Sequence, residues 1–264
     1  MWTKELFGTD KPIIALLHLD SLPGEPGYKG SLQEVMDHAK ADLINLQEAG
    51  VDGILIANEY CFPITPNTGT VTLMAMAAVI GHLYPDIKVP FGTNVVYNPE
   101  ETIKMAAVFD ASFGRSAFSG AYTGTYGLHS VDFGENVRLK YSLGKPDIQL
   151  LCKFNPEGDT RLGDQTEEEV FKTLTDGGYV GALCVSGPGS GQEADYGYLT
   201  KICEMAKTRQ VPVFCNTGCR YDTIEKILEV ADGACVGTAF KDENGRVSLE
   251  KTKKFMDLVK KKRN

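Results

Sequence analysis

The chain has 264 residues, 42% of them apolar and 23% charged, the make-up of an ordinary globular domain and not of a disordered or collagen-like chain. Its net charge of −8 argues against nucleic acid as a partner, since such binding needs a basic footprint. No run of 18 apolar residues offers a transmembrane helix, and Met1-Trp2-Thr3-Lys4-Glu5 lacks the pattern of a signal peptide, so no membrane role and a cytoplasmic location are expected.

From the N-terminus onward, short apolar runs alternate with helical patterns. The runs are Ile13–Leu19, Gly53–Glu59, Val89–Val96, Phe113–Phe118, Ile148–Phe154, Gly181–Gly187, Val211–Gly218 and Ala234–Phe240. Continuous rather than alternating apolar residues suit strands buried on both faces of a parallel sheet. After the first run, Leu32, Val35, Met36, Ala39, Leu43 and Leu46 recur at helical spacing behind Ser31, an N-cap residue, with Gly50 at the end. Thr70–Tyr84 and Pro99–Ala111 predict the next two helices, and Glu135–Leu143 a weaker one. Thr166 followed by three glutamates starts another, which Gly177-Gly178 ends. Asp195–Arg209, Asp222–Ala231 and Ser248–Lys261 complete the set. Eight strand–helix units predict an α/β fold, a single (β/α)8 TIM barrel over 1–264; a doubly wound sheet would use the same units. The basic run Lys260–Arg263 suits the C-terminal dipole of the last helix.

In such a barrel the chemistry sits where strands end. The first run ends at His18 and Asp20, the second at Asn58-Glu59, the third carries Asn94, the fourth Arg115 and the fifth Lys153. A buried charge must be paired or reach water, which places Arg115 and Lys153 at the mouth. A structural ion pair of Glu59 with Arg115 or Lys153 would also account for them. His18 and Glu59 are candidate acid/base groups. Arg115 and Lys153 are candidates to stabilise negative charge, and Lys153 is also a candidate Schiff-base nucleophile. The long segment Ser119–Ser130 carries Tyr122, Tyr126 and His129 among glycines and is expected to be a lid loop, or else an oligomer contact.

The last three runs end in Ser186-Gly187-Pro188-Gly189-Ser190-Gly191, Asn216-Thr217-Gly218 and Val236-Gly237-Thr238. Glycines let backbone N–H groups approach an anion, and hydroxyls add donors. Ser186, Gly187, Gly189, Thr217, Gly218, Gly237 and Thr238 are therefore candidate phosphate ligands; tight turns alone would use the same residues. No metal-binding motif is present; Asp20 or Glu59 could hold magnesium, though no spacing demands it. Seven cysteines without a C-x-x-C pair suggest buried thiols, and Cys215-x3-Cys219 without a second ligand pair does not make a zinc site.

These residues resemble the BtpA/SgcQ family. The resemblance rests on His18-Leu19-Asp20-Ser21-Leu22-Pro23-Gly24-Glu25-Pro26, Asn58-Glu59 with Pro63, Phe91-Gly92-Thr93-Asn94-Val95 and Phe113-Gly114-Arg115. Phe118-Ser119-Gly120-Ala121-Tyr122, Val185-Ser186-Gly187, Asn216-Thr217-Gly218 and the segment from Ala231 to Lys241 extend it. It runs from about residue 5 to 260, with the SgcQ branch closer than the BtpA branch. It implies a TIM barrel of the ribulose-phosphate-binding kind. Family members are linked with photosystem I biogenesis, and with sugar phosphotransferase and epimerase genes and a nucleosidase label. The sequence departs from the BtpA pattern at Cys152–Asp159, and Asn216-Thr217-Gly218 stands where that branch has Gly-Ser-Gly. An enzyme acting on a small phosphorylated metabolite, a phosphosugar or nucleoside derivative, by lyase, isomerase or nucleosidase chemistry is expected. A non-catalytic assembly factor and a phosphate-ligand sensor are the alternatives. A homo-oligomer is expected of such a barrel.

Overall fold

The computed structural model describes residues 1–189 and 191–263; Ser190, one residue of the sixth strand's glycine-rich end, lies outside the described residues. The eight apolar runs become the eight strands of a closed, all-parallel barrel, which sets the doubly wound alternative aside. In chain order the barrel strands are β1 (Ile13–His18), β2 (Gly53–Ala57), β3 (Phe91–Asn94) and β4 (Phe113–Ser116), then β7 (Gln149–Lys153), β9 (Ala182–Val185), β10 (Val213–Cys215) and β11 (Gly233–Val236). The barrel closes where β1 pairs with β11, Ile13 beside Ala234 and Ala15 beside Val236.

Between strands run α2 (Leu32–Glu48), α3 (Thr70–Leu83), α4 (Pro99–Val108), α5 (Phe133–Ser142), α6 (Glu167–Thr175), α7 (Tyr196–Lys207), α8 (Ile224–Val230) and α9 (Leu249–Arg263). Their starts follow the local signals. The Ser31 hydroxyl accepts from the Glu34 N–H, and Thr166 with Glu169 forms a capping box. None of the described helices is long and apolar enough to cross a membrane.

Strand alternation divides the core in two. Ile13, Ala15 and Leu17 face the helices, while Ile14, Leu55, Phe113, Leu151, Cys184, Phe214 and Cys235 fill the barrel. Large and small residues interlock inside it. A Cβ on Gly92 would lie 2.2 Å from the Phe113 ring, so only glycine admits that ring.

Two features were not expected. A six-residue helix, α1 (Trp2–Phe7), packs Trp2, Leu6 and Phe7 onto the inner core, and the Trp2 indole donates to the Gly181 carbonyl at 2.7 Å. Six residues are too few for periodicity to show. The segment expected as a lid loop is instead a hairpin, β5 (Gly120–Gly124) and β6 (Gly127–Val131), joined by β8 (Asp159–Arg161) in a three-stranded antiparallel sheet. Gly124 and Gly127 flank a two-residue turn, Thr125-Tyr126, and Gly127 has φ +96°.

Candidate active site

The C-terminal ends of the strands open into a cavity of about 1010 Å³. His18, Glu59, Arg115 and Lys153 all line it, as do Gly189, Thr217, Gly218, Gly237, Thr238 and Tyr126. Strand ends from opposite sides of the barrel thus converge on one space.

A polar chain crosses the floor. Lys153 Nζ donates to Glu157 at 2.8 Å, and the other Glu157 oxygen accepts from Asn216 Nδ2 at 2.7 Å. The Asn216 oxygen accepts from Arg115 Nη1 at 2.8 Å. The Asn94 amide, with its oxygen toward Arg115, accepts from Nη2 at 3.1 Å and donates to the Arg115 carbonyl at 2.9 Å. Burial opposes the charge on Glu157, but Lys153 and Arg115 outweigh it and hold the carboxyl below its usual range. The ion pair expected of Glu59 is therefore made by Glu157. Glu59 itself has no hydrogen-bond or ion-pair partner among the described residues.

On the far side, Lys241 Nζ donates to His18 Nδ1 at 2.8 Å and to the Tyr60 hydroxyl at 2.6 Å. Burial, with the positive charges of Lys241 and Arg115, holds the His18 imidazole well below its ordinary value, so it stays neutral. With Nδ1 accepting, the proton sits on Nε2. That atom and Arg115 Nε are buried polar atoms without a protein partner among the described residues.

Several expected residues serve the walls instead. Ser186 is buried and its hydroxyl accepts from Asn216 at 2.9 Å. The Gly187 N–H is spent on the Thr217 hydroxyl at 2.6 Å, so neither Ser186 nor Gly187 opens on the cavity. Gly218, at φ +72°, passes so close to Glu193 that a Cβ would lie 2.2 Å from its Cα. Asn94 lies in a smaller recess beside the cavity, with His129. Tyr122 is buried, its hydroxyl donating to the Ser119 carbonyl, and His129 packs on its ring at 6.1 Å. Of the expected lid residues only Tyr126 reaches the main cavity. Asp20 is engaged by His38 at 2.7 Å and Arg246 at 2.5 Å. Among the described residues no three His, Cys, Asp or Glu side chains gather as a metal site.

Residues 9–261 match the model of the BtpA family. The chain belongs to that family. It is 34% identical to the sgc region protein SgcQ of Escherichia coli (strain K12), over 98% of this chain and 97% of that one. It is 25% identical to the photosystem I biogenesis protein BtpA of Synechocystis sp. (strain ATCC 27184 / PCC 6803 / Kazusa), over 90% of this chain and 83% of that one. Among solved structures, the native KDPGal structure superposes with a TM-score of 0.58 at 16% identity, over 95% of each chain, and shows the shared barrel fold.

Within this BtpA-family mouth the sequence alone missed Glu157, Lys241 and Tyr97, and Tyr60 beside Lys241. Glu157 lies four residues past the strand that carries Lys153, and Lys241 pairs with a residue 223 positions away. Tyr97 sits at φ 63°, a conformation costing about 1–3 kcal/mol, with its hydroxyl donating to Asp159 at 2.8 Å. The only available signal was position just beyond a strand end.

Proposed function

We propose that this BtpA-family barrel is a metabolic enzyme acting on a small phosphorylated metabolite, a phosphosugar or nucleoside derivative, by lyase, isomerase or nucleosidase chemistry. The observation that carries this reading is the composition of one cavity. Arg115, Lys153, Arg220, Lys241, Lys251 and Lys254 line it against three carboxylates, in a chain of net charge −8. Concentrated positive charge draws in an anion. The phosphate would lie at Thr217, Gly218, Gly237 and Thr238, where hydroxyls and glycine backbone let donors come close. Glu59 would move the proton, and Arg115 with Lys153 would face the charge that develops. The gathering of Glu59, Arg115 and Lys153 in one mouth speaks against a purely non-catalytic assembly role.

Calorimetric titration with sugar phosphates and the matching free sugars tests the reading. Binding is expected only for the phosphorylated member of a pair. Arg220→Ala should weaken it about threefold to tenfold, because a half-exposed cation contributes about 1 kcal/mol. Equal binding of phosphorylated and free sugars would overturn the proposal.

A further inference from the structure

The cavity's lysines differ in their company. Lys153 is tied to a carboxylate, Glu157, at 2.8 Å. Lys241 touches only neutral groups, the His18 imidazole and the Tyr60 hydroxyl, and lies over the Tyr60 ring at 4.6 Å. No carboxylate forms an ion pair with it among the described residues. An ammonium held by a carboxylate stays protonated, whereas one lodged among neutral partners in a partly dry wall gives up its proton readily. Lys241 borders the same cavity as Glu59, Arg115 and Thr238.

We propose that Lys241 is a catalytic nucleophile that forms a Schiff base with the open-chain carbonyl of an aldose or ketose phosphate. The substrate class rests on the phosphorylated-ligand reading above; the nucleophile rests on the Lys241 contacts. The neutral amine gives its electron pair to the carbonyl carbon. A C–N bond forms, and the carbonyl π pair moves to oxygen. His18 Nδ1, 2.8 Å away, is placed to take the proton that the nitrogen sheds, and the Tyr60 hydroxyl, 2.6 Å away, to supply one to the oxygen. His18 then returns its proton to the carbinolamine hydroxyl, which leaves as water as the nitrogen lone pair forms the iminium, and the proton first given up by the Lys241 ammonium restores Tyr60. Net, one protonated amine and one carbonyl become one iminium and one water.

Burial is the main cause that brings the Lys241 ammonium down to about 8. Asp42 from α2, Glu59, and Asp20 raise it, and Arg246 lowers it further. A depressed ammonium of this kind leaves a usable fraction of free amine near neutral pH.

Borohydride trapping on the full chain tests the proposal. The probes are dihydroxyacetone phosphate, glyceraldehyde 3-phosphate and ribose 5-phosphate, each paired with its free sugar. With at least one phosphate, mass spectrometry should find a reduced adduct on the Lys241 peptide, formed faster as pH rises through about 8. The adduct should disappear in Lys241→Arg, whose fold is checked by its melting temperature. Mapping in the unaltered protein gives an answer even if that variant does not fold. No adduct with any probe, or an adduct on Lys153 in place of Lys241, would overturn the nucleophile. If calorimetry still shows phosphate-selective binding in that case, the function proposal stands and only this inference fails. An adduct formed equally with free sugars would support Lys241 and overturn the phosphate reading.

Discussion

Glu59→Gln is expected to lower turnover about 10²- to 10⁴-fold, the usual contribution of a positioned acid or base, or about 3–5 kcal/mol of barrier. Glu59 follows β2 and lines the cavity beside Arg115 and Lys153. Unlike Glu157, it has no partner among the described residues that would tie up its oxygens. The amide has nearly the same shape but cannot take a proton. Folding should change little, since no hydrogen bond or ion pair among the described residues is lost; a melting temperature within about 2 °C of the parent is expected. Ligand affinity should stay within a few-fold. Turnover within tenfold of the parent would remove Glu59 from the chemistry.

Glu157→Gln should act on stability as well as activity. Its carboxylate compensates two cations, one directly and one through Asn216, and Lys153 and Glu157 are only 15% and 14% exposed. Removing the anion leaves Lys153 and Arg115 without the counter-charge they share. Breaking a buried pair in this way costs about 3 kcal/mol, a fall of about 6–12 °C in melting temperature for a domain of this size. The pH dependence has a definite sign. The folded carboxyl titrates below its ordinary value, so the unfolded chain binds more protons in that range. The stabilisation is complete above about pH 4.3, the unfolded value, and fades as pH falls through the folded one. Denaturation of parent and variant should therefore differ at neutral pH and converge on acidification. A difference below about 0.5 kcal/mol, or one independent of pH, would show that Glu157 does not hold the floor together.

The barrel was legible because a strand buried on both faces must be apolar through its middle, and Ile13–Leu17, Gly53–Ala57 and Leu150–Cys152 each are, with the polar residues of those runs falling toward the strand ends. Helix starts at Ser31 and Thr166 were legible because capping is local. The hairpin was not, because glycines and aromatics suit a mobile loop as well as two short strands, and the third strand, Asp159–Arg161, lies 28 residues beyond the hairpin's end. The convergence of His18, Glu59, Arg115 and Lys153 followed from placing polar residues at strand ends. Their pairings did not follow. Asn216 carries hydrogen bonds to Arg115, Glu157 and Ser186 from three other strand ends, which no spacing along the chain encodes. The glycines of the rim were read as anion ligands; Gly187 instead gives its N–H to Thr217 and passes close to Gln192, whereas Gly218, which passes close to Glu193, still lines the cavity.

A thermal-shift panel tests most directly whether the mouth takes a phosphorylated small molecule. The panel sets sugar phosphates and nucleotides against their free sugars and nucleosides, with and without magnesium. A ligand at 100 times its dissociation constant stabilises by about 2.7 kcal/mol, which is a rise of about 5 °C or more for a domain of this size. Such a rise is expected with one phosphorylated class and none with the unphosphorylated counterparts. No rise with any phosphorylated ligand at millimolar concentration, or an equal rise with and without the phosphate, would contradict it.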